Sequence, residues 1–109
     1  MTRRRLPNRR AAENIEIANP IQPGSKVRFV ISIGRDPETG ALAEVFVNSS
    51  DVNSVVDIAA RDAATLISIA LQHGATVDEL ASAMARGEQG EAHGMAGALL
   101  DVMRAETPA

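Results

Sequence analysis

Apolar positions along this chain follow two successive periods. Residues 26–34 alternate, with Val27, Phe29, Ile31 and Ile33 on one side and Lys26, Arg28, Val30 and Ser32 on the other. Period two is the signature of a strand with one buried face. In Asp36-Pro37-Glu38-Thr39-Gly40 the proline presets a turn and the glycine suits a left-handed position, and residues 41–48 then run as a second strand. The two are expected to pair as an antiparallel hairpin. A lone hairpin is marginal in water, so this one must pack on a helix and is open to extension by a second copy.

The polar run Asn48-Ser49-Ser50-Asp51 leads into Ser54-Val55-Val56-Asp57, a capping box in which Ser54 accepts the Asp57 amide while the aspartate reaches back. The helix it starts should continue to about His73 and stop at Gly74, a residue suited to a left-handed cap. At 100° per residue, Asp57, Arg61, Thr65, Ser68 and Gln72 share one narrow stripe, and nearly everything else on this helix is apolar. The pattern predicts a central helix covered on most sides, with that stripe as its polar face. Thr76-Val77-Asp78-Glu79 repeats the capping logic, with Thr76 and Glu79 as partners, for a short helix through about Ala85. Residues 87–94 read as a flexible glycine loop, and residues 95–105 as a last helix with Leu99, Leu100, Val102 and Met103 for its apolar content. Before residue 25, Pro7, Pro20 and Pro23 break regular structure. The expected architecture is therefore α+β, in the order β-β-α-α-α: a two-stranded antiparallel hairpin on a central helix with two shorter helices. Residues 1–24 form a basic, proline-interrupted arm and residues 25–109 a single domain.

Composition changes this picture in two ways. Alanine supplies nineteen of the apolar residues of the 109-residue chain, leaving twenty-six Leu, Ile, Val and Phe side chains for the core, a thin margin that favours completion by a homodimer. There is no cysteine, which excludes disulfides, thiol nucleophiles, thiyl radicals and thiolate metal sites. No apolar run approaches a membrane span, and the first residues lack the apolar stretch of a signal peptide, so the expected location is the cytoplasm.

Charge is divided rather than balanced. Arg3, Arg4, Arg5, Arg9 and Arg10 give the first ten residues +5, while the remainder carries −8, for the net −3. Such an arm is a candidate for phosphate or nucleic-acid contact; the plainer alternative is a solvated tail, or one docked on the acidic body. No aromatic residues are interleaved to stack on bases. Asp62 is the most unusual single placement, projecting into the apolar arc of Val55, Ile58, Leu66 and Ile69. A carboxylate there asks for a partner, across a subunit interface, from the arm, or from Arg28 or Arg61, unless it lies at the rim of the arc. His73 reads as a helix-terminal residue and His93 as a loop residue. The glycine loop Gly87-Glu88-Gln89-Gly90-Glu91 precedes a helix but carries two acids and no lysine, so a connector is the better reading than a phosphate cradle. No catalytic residue, metal or cofactor is expected.

Ala43-Glu44-Val45-Phe46-Val47, with Leu66-Ile67-Ser68-Ile69-Ala70-Leu71-Gln72-His73-Gly74 and the opening Arg5-Leu6-Pro7-Asn8-Arg9-Arg10, resembles the TSCPD domain. That domain occurs at the C-terminus of many adenosylcobalamin-dependent ribonucleotide reductases and in free-standing short bacterial proteins. Where the family's Thr-Ser-Cys-Pro-Asp signature should fall, this chain reads Gly94-Met95-Ala96-Gly97-Ala98-Leu99-Leu100-Asp101. The resemblance implies a non-catalytic accessory or regulatory module that binds a nucleotide or a reductase-like partner. A nucleic-acid-associated protein acting through its arginine arm and a structural homo-oligomerisation module are the alternatives.

Overall fold

The computed structural model describes residue 3 and residues 12–22 and 24–106. Three strands, β1 (Ala12–Ala18), β2 (Arg28–Arg35) and β3 (Leu42–Ser49), precede three helices, α1 (Val55–Gln72), α2 (Val77–Ala83) and α3 (Met95–Ala105). The sheet is antiparallel in the order β1-β2-β3. The hairpin expected from the alternation is thus the β2–β3 part of a larger sheet. The correction lies in residues 12–18, read as arm, which form β1 and pair Ile15 with Ile31 and Ile17 with Phe29. Only these two isoleucines alternate there, too short a run to stand out before prolines, yet they add half-buried cover beside the β2 core residues.

Between β2 and β3 the chain turns at Asp36-Pro37-Glu38-Thr39-Gly40. The Gly40 amide donates to the Asp36 carbonyl at 2.7 Å, the Glu38 amide donates to the Asp36 carboxylate at 2.9 Å, and Gly40 takes a φ of 75°. Pairing then aligns Ile31 with Val47 and Ile33 with Val45, which places Phe29, Ile31, Ile33, Val45 and Val47 on one buried face. Facing them are Ala60, Ala64, Ile67 and Leu71 of α1 and Leu99, Leu100 and Met103 of α3, all in one core. Each fully buried large side chain contributes about 1.5–3 kcal/mol relative to exposure. Within the helical layer, α1 lies along β3, and α1 and α2 each pack on α3.

The helix ends are formed by local hydrogen bonds. Ser54 Oγ accepts the Asp57 amide at 3.2 Å, but the Asp57 carboxylate reaches past Ser54 and accepts the amide of Asn53 at 2.8 Å. Asn53 stands at φ 64°, a left-handed turn that aims its N–H at that carboxylate. At the other end the Gly74 amide donates to Leu71 O and the Ala75 amide to Ala70 O, with Gly74 at φ 103°. This double closure is a Schellman motif, which satisfies carbonyls the helix would leave open. For α2, the Thr76 hydroxyl accepts the Glu79 amide at 3.1 Å while the Glu79 carboxylate accepts the Thr76 amide at 3.0 Å.

Candidate functional site

Only part of the polar stripe of α1 faces solvent, through Arg61 and Thr65. Asp57, Ser68 and Gln72 are buried, and Asp57 is only 2% exposed. The reason lies at β3, which among the described residues is the last strand of the sheet and so carries backbone groups with no neighbouring strand. Ser68 Oγ accepts the Val45 amide at 2.9 Å and lies 3.1 Å from the Val45 carbonyl and 2.9 Å from the Ala64 carbonyl, to either of which its one proton is donated. Gln72 Nε2 donates to the Ala43 carbonyl at 3.1 Å. Two side chains one helical turn apart thus stand in for part of a fourth strand. At the same glutamine, Arg3 Nε donates to Oε1 at 2.6 Å, which brings one arm residue to this closed edge.

Turning the polar stripe toward β3 leaves the opposite side of α1 open. Val55 is 88% exposed and Leu66 69% exposed, and Ile58 is also exposed. Val55, Ala59, Asp62 and Leu66 are spaced four, three and four residues apart, so they share one stripe. That stripe forms one wall of a groove of about 1170 Å³ whose other side is built by Leu80 and Met84 from α2 and its end, and Met95, Ala96 and Leu100 from α3. Gly97 allows this second side to close up: a Cβ there would stand 3.0 Å from Ala92 Cβ and 3.4 Å from Met84 Cβ. An apolar concavity of this kind between helices marks an interaction site more often than leftover surface.

Among the described residues Asp62 is the one ionisable residue lining the groove. It is exposed and takes part in no ion pair among the described residues, so it is not paired within the described part of the chain. Its two intramolecular candidates are engaged elsewhere: Arg28 meets Glu16 at 3.1 Å, and Arg61 meets Asp57 at 3.3 Å. Rotation alone placed Asp62 among apolar residues correctly, but that arc opens to water instead of into the core.

Behind the groove lies a clasp with no counterpart in the sequence reading. Arg86 makes a two-pronged contact with Asp101, at 2.8 and 2.9 Å, and also donates to the carbonyls of Ala81 and Gly90. The hydrogen bonds from Arg86 hold the Asp101 carboxyl below its ordinary range. Residues 87–94, read as a flexible connector, are tied at both ends: Gly87 donates to Glu91 O, Arg86 and Ala92 form a bridge, and the His93 amide donates to Ala85 O. An arginine and an aspartate fifteen residues apart, on different elements, carry no spacing that sequence could flag.

The remaining candidates are dispersed. Arg4, Arg5, Arg9 and Arg10 lie outside the described residues. His73 ends α1 and His93 lies in the loop before α3. Among the described residues no cluster of three or more His, Asp or Glu could hold a metal ion, and no helix is long and apolar enough to cross a membrane.

Comparison with known proteins returns no match among curated proteins and none among solved structures. The family model of the TSCPD domain matches residues 6–105, nearly the whole chain, and the protein belongs to that family.

Proposed function

We propose that this chain is a non-catalytic accessory module that docks through its helical groove on a larger protein of the ribonucleotide reductase type. The observation that carries this reading is the open face of α1, where Val55 and Leu66 stand 88% and 69% exposed beside an apolar groove. Large apolar side chains held in water beside a concavity favour association, since docking removes their area from water at about 25 cal/mol per Å². Membership of the TSCPD family supplies the kind of partner, because that domain is fused to reductases in many proteins. The absence of cysteine agrees with an accessory role, in which radical and dithiol chemistry belongs to the partner.

Sedimentation of the purified protein mixed with the catalytic subunit of a ribonucleotide reductase from the same cell tests the reading. The expected result is a complex that Leu66→Glu abolishes while the variant's melting temperature stays close to that of the parent. Failure of the two to associate, or association indifferent to Leu66→Glu, would remove it.

A further inference from the structure

Resting on the docking reading, we infer that the occupant of the groove is an amphipathic helix of another protein that places one lysine or arginine against Asp62. The groove selects helix over extended peptide. Apart from Gln22, Ser54 and Asp62 its lining is apolar, so an extended segment would bring in backbone N–H and C=O groups with few partners. A helix arrives with those groups already bonded to one another. From Val55 to Leu66 the α1 wall is about 16 Å long at 1.5 Å per residue, room for about three turns of a second helix.

Asp62 sets the charge of that helix. It stands on the α1 wall between Ala59 and Leu66 with no ion pair among the described residues, and a docked apolar surface would strip its water. A carboxylate losing hydration without a cation opposes binding, whereas one meeting a cation selects its partner. Among the described residues Asp62 is the one ionisable side chain lining the groove, so none of its described neighbours supplies that cation. A second copy joined groove to groove by a two-fold axis would bring two carboxylates to the interface and no cation from the described lining residues. A basic helix from a different protein satisfies both the apolar walls and the acid.

Fluorescence anisotropy with the intact protein tests this, using three labelled fifteen-residue helical peptides. They share a leucine stripe and differ in one central stripe position, occupied by lysine, glutamine or glutamate. The lysine peptide is expected to bind about tenfold tighter than the glutamine peptide and the glutamate peptide to bind weakest. Asp62→Asn should equalise lysine and glutamine, and Asp62→Lys should invert the order. Because Asp62 is exposed, both variants should keep the parent's melting temperature, which is measured alongside. Equal binding of the three peptides, binding of none, or a dimer of the parent protein that Leu66→Glu splits would each overturn the inference. Reductase association without charge preference among the peptides would leave docking standing and sink the basic helix. Lysine-selective peptide binding without reductase association would uphold the groove's chemistry and discard the reductase.

Discussion

Ser68 stands against both backbone groups of Val45: its hydroxyl accepts the Val45 amide at 2.9 Å and lies 3.1 Å from the Val45 carbonyl. A single helical side chain thereby covers an edge position that would otherwise be open to another strand. Ser68→Ala leaves a buried donor and acceptor without that partner, a loss of about 1–3 kcal/mol. Urea unfolding should show a lower midpoint, and light scattering should show more self-association through the uncovered edge. An unchanged midpoint would mean that water replaces the hydroxyl at no cost.

Two aspartates five residues apart on α1 should behave in opposite ways. Asp57 is buried, accepts the Asn53 amide and meets Arg61, so Asp57→Ala should cost about 1–3 kcal/mol. Asp62 is exposed and takes part in no ion pair among the described residues, so Asp62→Ala should stay within about 0.5 kcal/mol. Thermal unfolding of the two variants side by side decides the matter, and equal losses would contradict these assignments.

Acid should weaken the clasp between the end of α2 and α3. Hydrogen bonding from Arg86 lowers the Asp101 carboxyl below its ordinary value of 3.8, so the folded state binds that proton less readily than the unfolded chain. The resulting stability is present above the ordinary value and is lost as pH falls from there through the lowered folded value. Asp101 is 40% exposed, so the contribution is reduced by solvent screening. In urea titrations between pH 6 and pH 2.5, the gap between the parent and Asp101→Asn should be constant above about pH 5 and narrow below it. A gap that persists to the lowest pH would show that the carboxylate's charge contributes nothing.

Close packing at Gly97 makes size the relevant variable. A Cβ would already stand 3.0 Å from Ala92 Cβ, and the two methyls of valine would press further on Met84. Gly97→Val is therefore expected to destabilise by about 1–3 kcal/mol, read from its melting temperature. A neutral outcome would mean that residues 87–94 give way without loss.

The reciprocal bonds of Thr76 and Glu79 close the start of a helix only seven residues long, which has little stability of its own. Thr76→Ala should cost about 1 kcal/mol, while Thr76→Ser should retain most of it. Chemical denaturation of both variants distinguishes loss of the cap from loss of the threonine methyl.

The legible parts of this fold are those governed by contacts between near neighbours. Alternation from Val27 to Ile33, the turn at Asp36 and Gly40, the cap at Thr76 and the stop at Gly74 each depend on a few residues close in the chain. β1 was hidden because its evidence amounts to Ile15 and Ile17, which gain meaning only when paired with Ile31 and Phe29. The clasp of Arg86 on Asp101 was hidden for the same reason, its partners being brought together by the packing of α2 on α3.

At α1 the division is sharpest. Helical periodicity sorted Asp57, Arg61, Thr65, Ser68 and Gln72 from Val55, Ile58 and Leu66, and that sorting is correct. Which side would be buried was beyond it, because a polar stripe can be satisfied by water or by backbone. The sheet order decided: by ending, among the described residues, at β3 beside α1, it offered open backbone groups to Ser68 and Gln72 and so drew these two polar residues inward, while Arg61 and Thr65 stay exposed. Of the apolar arc, Ala60, Ala64, Ile67 and Leu71 went to the core, and the part with Val55, Asp62 and Leu66 was left facing solvent as the wall of a groove.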